Sequence, residues 1–229
     1  MSKTNLSQIQ LQARKGFDLE KGVYNVVHYG AVGDDSTDNT LDIQAAIDAA
    51  EAAGGGSIFF PVGVFQSGKV TVSLTKGISF VGTGWESVLK AKDSLNDNLI
   101  QYAANAAGMW VLFQNLKFDG NCTNQTAGNI IDAEHAIESR FINCWFHQPY
   151  DWAVNLYGLV SSGAFGHHNN FTNCLFDEGD NSAGEGGAIK VDDNDENTCL
   201  ACEFQYMGGS GSTYNCAILD NSGLNNWSD

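Results

Sequence analysis

The chain has 229 residues with 27 acidic against 11 basic side chains, a formal charge of −16. That excess disfavours nucleic acid and anionic membrane surfaces, and a polyanionic glycan as well unless a cation intervenes. With 43% hydrophobic residues, 26 Gly, only 2 Pro and no apolar run of membrane length, the chain reads as a rigid globular protein without membrane insertion, large enough to fold without disulfide staples.

In chain order, residues 1–22 are polar, carry a weak helical pattern and lack the apolar core of a secretory signal. They read as a separate segment, an arm for attachment to another protein. Residues 23–36 predict a strand that ends in a Gly and Asp turn. Ile43, Ala46, Ile47 and Ala50 follow at i, i+3, i+4, i+7, which predicts an amphipathic helix over 39–53 with Asp38 or Thr40 as its N-cap and Gly54 just beyond it. The glycines 54–56 lead into a further strand, Ser57-Ile58-Phe59-Phe60-Pro61.

A short phrase then returns at near-constant spacing: Phe113-x-Asn115-Leu116-x-Phe118, Phe141-x-Asn143-Cys144-x-Phe146, Phe171-x-Asn173-Cys174-x-Phe176 and Cys199-x-Ala201-Cys202-x-Phe204, with first residues 28, 30 and 28 positions apart. A period in this range marks a supersecondary unit that must stack on its neighbours to bury its apolar face. The phrase alternates as a strand does, with a disturbance near the Asn, and a second apolar run follows in each unit: 129–131, 152–156, 188–191 and 217–219. Each coil thus carries at least two short strands, and about five coils are countable. The fold class is all-β, a right-handed parallel β-helix whose open N-terminal end is closed by the helix at 39–53.

Stacking places Phe118, Phe146, Phe176 and Phe204 in one inward ladder and Asn115, Asn143 and Asn173 in a column of turn amides bonded coil to coil. The repeat also disposes of Cys199-x-x-Cys202 as a zinc or redox motif. Cys199 continues the column of Phe113, Phe141 and Phe171, and Cys202 that of Leu116, Cys144 and Cys174, so these thiols are core residues. Cys122 and Cys216 fall outside both columns.

The segment Tyr24-Asn25-Val26-Val27-His28-Tyr29-Gly30-Ala31-Val32-Gly33-Asp34-Asp35, then residues 40–50 and Gly55-Gly56-Ser57-Ile58-Phe59-Phe60-Pro61, resembles the N-terminal region of the pectate lyase superfamily. It is similar to the branch with polygalacturonases, β-helical glucanases and phage tailspikes. The resemblance implies a polysaccharide bound along the side of the solenoid. A lyase of this kind is expected to use an Arg or Lys base with calcium-holding acids. Only Arg14 and Arg140 are present, and Arg140, beside Phe141, reads as an outward charge on a solvated face, so hydrolysis by two carboxylates is favoured.

Asp151, just before the run 152–156, and Glu185, just before the run 188–191 on the next coil, are the candidate acid and base. Their backbones are expected about 5–10 Å apart. Asp177 and Asp180 are further candidates from the same loop. The paired Asp-Asp of polygalacturonases is not matched by Gly208-Gly209-Ser210-Gly211. Trp145, Tyr150, Trp152 and Tyr157 fall within one coil and, with His147, are the candidate sugar-binding residues. Asp192, Asp193 and Asp195 lie in an acidic run whose composition resembles a calcium site without the spacing of a calcium loop; the alternative is a solvated turn. No other cofactor is expected.

The reading that follows is a phage tailspike or tail protein that recognises a bacterial surface polysaccharide and depolymerises it, homotrimeric, joined to virion tail proteins through residues 1–22. A free extracellular polysaccharide-degrading enzyme and a non-catalytic structural β-helix are the alternatives. Residues 221–229 offer no cap for the last coil, so the unit 23–229 is expected to continue or to be covered by a partner.

Overall fold

The computed structural model describes residues 22–73, 77–103, 111–158, 166–179, 187–205, 218–221 and 226–227. Three parallel sheets run along the molecule. Sheet A contains Val23–Asn25, Gly55–Phe60, Gly77–Gly82, Val111–Gln114, Arg140–Ile142, Asn170–Thr172, Thr198–Leu200 and Asn226–Trp227. Sheet B contains Asp34–Asp38, Gly63–Ser67, Ser87–Ala91, Lys117–Asp119, Trp145–His147, Leu175–Asp177 and Glu203–Gln205. Sheet C contains Val70–Val72, Ile100–Tyr102, Ile131–Glu134, Trp152–Tyr157, Gly187–Asp192 and Ile218–Asp220. The chain visits A, B and C in turn, and every strand pairs in parallel with the equivalent strand one coil away: a parallel β-helix.

From the second coil on, each coil has a strand in A, B and C, in keeping with the at least two that the sequence pattern displayed; a two-stranded sheet of Gly166–His167 and Asn194–Asp195 adds a fourth strand to two coils, and sheets A and B meet in seven coils among the described residues instead of about five. The disturbance in the repeated phrase is the corner between A and B. Asn115, Asn143, Asn173 and Ala201 adopt φ of 55°, 52°, 57° and 53°, the left-handed conformation that turns the chain in one residue. The N-terminal coils turn this corner through other sequences, such as Pro61-Val62, so the phrase does not count them.

Register confirms the columns. Phe118, Phe146, Phe176 and Phe204 are paired in sheet B, and their rings stack with centroids 5.2, 4.9 and 5.1 Å apart. A second ladder runs through Phe60, Phe80, Phe113, Phe141 and Phe171 of sheet A. Cys199 takes the next place in it. Cys144, Cys174 and Cys199 are buried, as is Cys122 in a short turn at Cys122–Asn124, and Cys174 Sγ donates to the carbonyl of Phe141. Bonds with the neighbouring thiols of Cys144 and Cys202, and then burial, push the Cys174 thiol well above its usual range, as expected of an inert core residue. The Asn column forms a ladder, Asn173 to Asn143 and Asn143 to Asn115, each at 3.2 Å. It sits at the surface instead of in the interior: Asn115 and Asn143 are half-buried and Asn173 is exposed.

Two N-terminal expectations need correction. The strand predicted over 23–36 is interrupted by a one-turn helix, α1 (Val26–Tyr29). Asn25 Oδ1 accepts from the Val27 amide at 3.0 Å, and Gly30, at φ 121°, closes the turn against the carbonyls of Val26 and Val27. The amphipathic helix, α2 (Thr40–Ala52), buries Ile43, Ala46, Ile47 and Ala50 against the first coils, but its N-cap is Asn39. The Asn39 amide is fully buried and is used elsewhere, clamping the carbonyls of Val32, Thr37 and Gln66, while Asp38 Oδ1 accepts from the Thr40 amide at 3.0 Å.

Candidate active site

Side chains on strands alternate inward and outward, so each sheet presents two outward columns. On sheet C the inward positions are aliphatic, with Ile100, Ile131, Val154 and Ile189 in register. The outward ones are polar: Gln101, Asp132, Asn155 and Lys190 in one column, and Glu134, Tyr157 and Asp192 in the next.

Asp132 is the centre of this face. It is 7% exposed, and its two oxygens accept from four side chains on three coils: Gln101 Nε2 and Tyr157 Oη on Oδ2, at 2.8 and 3.0 Å, and Asn129 Nδ2 and Asn155 Nδ2 on Oδ1, at 3.0 and 2.8 Å. Such a carboxylate is locked in orientation. Burial, and then the charge of Asp132, push the Tyr157 phenol above its usual range, so it stays protonated and donates.

Asn155 Oδ1, on this face, is buried without a donor. Leaving such a group unpaired costs on the order of 1–3 kcal/mol, which makes the face a candidate ligand site. Glu134 beside it is 8% exposed, and its charge adds to the shift at Tyr157. Lys190 Nζ, 3.1 Å from Asp192 Oδ2, supplies the cation of the face. Asp132 and Glu134, two residues apart on one strand, both point outward, with Cα atoms about 7 Å apart.

The residues singled out from sequence are distributed differently. Of the aromatic set only Tyr157 is on sheet C's outer face. Trp152 is 4% exposed and belongs to the interior, because the register that turns Asn155 and Tyr157 outward leaves it buried. Tyr150 lines a small recess with Gly120, Gln125 and Asn129. Trp145, His147 and Asp177 are on the outer face of sheet B, where the Trp145 indole and His147 Nδ1 each meet Asp177 Oδ1 at 2.8 Å. Asp177 thus belongs to sheet B, while Asp151 stands just before the sheet C strand Trp152–Tyr157. The Asp151 carboxylate accepts from the Gly128 amide at 2.7 Å, tying two coils together. Asp180 and Glu185 lie outside the described residues.

Among the described residues no group of three or more His, Cys, Asp or Glu side chains is arranged to hold a metal ion. In the acidic run Asp192 is paired with Lys190, Asp193 is exposed at φ 50°, and Asp195 pairs in register with His167. The run is not simply a solvated turn, since Asn194 and Asn197 are 1% and 0% exposed and bond to Asn169. Arg140 is exposed on sheet A, away from this face. Asp132 and Glu134 were missed from sequence because the apolar run of this coil reads there as 129–131, whereas the strand is Ile131–Glu134 and turns both carboxylates outward. The available signal was the phrase Ile131-Asp132-Ala133-Glu134, apolar and acidic in alternation.

A family model for rhamnogalacturonase A/epimerase, pectate lyase-like, matches residues 23–205. The chain is 36% identical over 122 residues to mannuronan C5-epimerase AlgE3 of Azotobacter vinelandii, covering 49% of this chain and 7% of that one. It is 27% identical over 146 residues to the tail spike protein of Shigella phage Sf6, covering 62% of this chain and 22% of the spike. Among solved structures, Geobacillus virus E2 ORF18 matches with a TM-score of 0.58 at 20% identity, over 90% of this chain and 46% of that one. The chain therefore spans a small part of these curated relatives, and it belongs to the rhamnogalacturonase A/epimerase, pectate-lyase-like family.

Proposed function

We propose that the outer face of sheet C binds a polysaccharide and carries out acid–base chemistry on it. The observation that carries this reading is the nearly buried pair Asp132 and Glu134 beside Tyr157, with Asp132 fixed by four donors and Glu134 next to it in the outer column. In glycoside hydrolysis Glu134 would pass the proton to the leaving oxygen, and Asp132 would hold the sugar ring or the attacking water. Tyr157, kept protonated, would hold Asp132 in place through its single O–H. The biological setting proposed is a phage tail, where a homotrimer recognises and depolymerises a bacterial surface polysaccharide; the likeness to the Sf6 tail spike supports it.

The likeness to the epimerase supports a second reading, a free extracellular enzyme acting on uronates. There Lys190 would face the sugar carboxylate, and Tyr157 and Glu134 would move the proton beside it.

One experiment tests the function and separates its forms. The protein is incubated with capsular, lipopolysaccharide, alginate and plant-wall glycans, and the products are assayed for new reducing ends, unsaturated ends and changed uronate composition. Reducing ends alone establish hydrolysis, unsaturated ends a lyase, and changed composition without cleavage an epimerase. No product and no binding across the panel rejects the proposal.

A further inference from the structure

The outer face of sheet B carries an arrangement that the chemistry of sheet C does not use. Trp85 stands in the turn before the strand Ser87–Ala91 and is 46% exposed. Its indole N–H donates to the carbonyl of Asn143 at 3.3 Å, two coils further on. The ring packs edge-on against Trp145, with centroids 5.2 Å apart and an interplanar angle of 61°. Trp145 is fixed in turn by its indole bond to Asp177. Lys117 Nζ lies 3.8 Å from the centroid of the Trp145 ring.

Both indoles therefore spend their polar edge on the protein. An exposed hydrocarbon face of this size, held rigid from two directions, contributes nothing to the core, whose inward positions here are Leu89, Phe118 and Phe146. Rigid tryptophans with fixed polar neighbours suit the C–H face of a pyranose ring. The surrounding charge selects among sugars. Burial holds the Lys117 amine below its usual range, while Asp119, Asp177, Glu178 and Glu86 oppose that shift. Four carboxylates around one ammonium disfavour an acidic sugar at this place.

We propose that Trp85, Trp145 and Lys117 form an accessory binding site for an uncharged pyranose, on a different face from the candidate active site. The site holds a glycan without reacting with it, and the inference is independent of what sheet C does to its ligand.

The test titrates the full chain, followed by tryptophan fluorescence and calorimetry, with a panel of neutral hexasaccharides of glucose, galactose and mannose and a parallel panel of hexauronates, each up to about 5 mM. At least one neutral hexasaccharide is expected to bind, with Trp85→Ala weakening it at least about tenfold and Trp85→Phe restoring part of the loss. Asp132→Asn and Tyr157→Phe are expected to leave this binding unchanged while altering any reaction on sheet C, so the two sites fail separately. Binding of hexauronates alone, of nothing in the neutral panel, or binding indifferent to Trp85→Ala in a variant with unaltered unfolding would overturn the proposal.

Discussion

The phenol of Tyr157 donates to Asp132 Oδ2 at 3.0 Å across two adjacent coils, and this bond ties the two outward columns of sheet C into one unit. Asp132→Asn keeps the shape but replaces an acceptor-only group by an amide, which must turn a donor toward at least one of four donors. Product formation is expected to fall by about a hundredfold, as for misplacement of a positioning group. Binding of glycan to the variant should persist, and unaltered turnover would remove Asp132 from the mechanism.

Tyr157→Phe should preserve the fold and lower activity less than Asp132→Asn, because three donors to Asp132 remain. Since burial and the Asp132 charge raise the phenol above its usual value, no loss of activity attributable to Tyr157 is expected as pH rises toward 10. A basic limb in the pH–rate profile that disappears in Tyr157→Phe would contradict this.

The Asn ladder ends at a strained position. Ala201 occupies the left-handed corner at φ 53° without a side-chain amide. Ala201→Asn tolerates this conformation better and extends the ladder toward Asn173, so it should stabilise the protein by about 1 kcal/mol. Asn143→Ala does the reverse, removing the bonds to Asn115 and Asn173, and should cost about 1–2 kcal/mol in urea unfolding.

Phe146 stacks between Phe118 and Phe176 in the interior. Phe146→Ala opens a cavity that flanking rings on neighbouring coils cannot collapse into, with an expected cost of about 3–5 kcal/mol measured by denaturant unfolding.

Acid should loosen the N-terminal coils. Burial opposes ionisation of Asp38, but bonds from Lys92 and Thr40 outweigh it and bring its carboxyl down to about 2. The lowered value means that the folded state binds fewer protons than the unfolded one between about pH 4 and pH 2. The contribution is thus present above about pH 4 and lost on descending to 2. Because the pair with Lys92 is half-exposed, it is worth less than about 1 kcal/mol, and Asp38→Asn should flatten the acid limb by that small amount.

The repeat made the solenoid legible because a coil must place like residues over like residues, and Phe118, Phe146 and Phe176 could satisfy that in only one way. The corner asparagines were legible as a column but not as a corner, since the left-handed φ that splits the phrase into two sheets is a backbone property. α1 was hidden for a similar reason: Val26, Val27 and Tyr29 favour strand, and the cap by Asn25 with the close at Gly30 decides otherwise.

The amino-acid sequence by itself determined the parallel coil, the capping helix and the core role of Cys144, Cys174 and Cys199, because each rests on periodicity, which is a local property of the chain. Only the tertiary structure decided that Trp145, His147 and Asp177 face one way and Asp132, Glu134 and Tyr157 another. Facing depends on which of three sheets a residue occupies and on its register there, and that is fixed by pairing between coils some 30 residues apart in the chain.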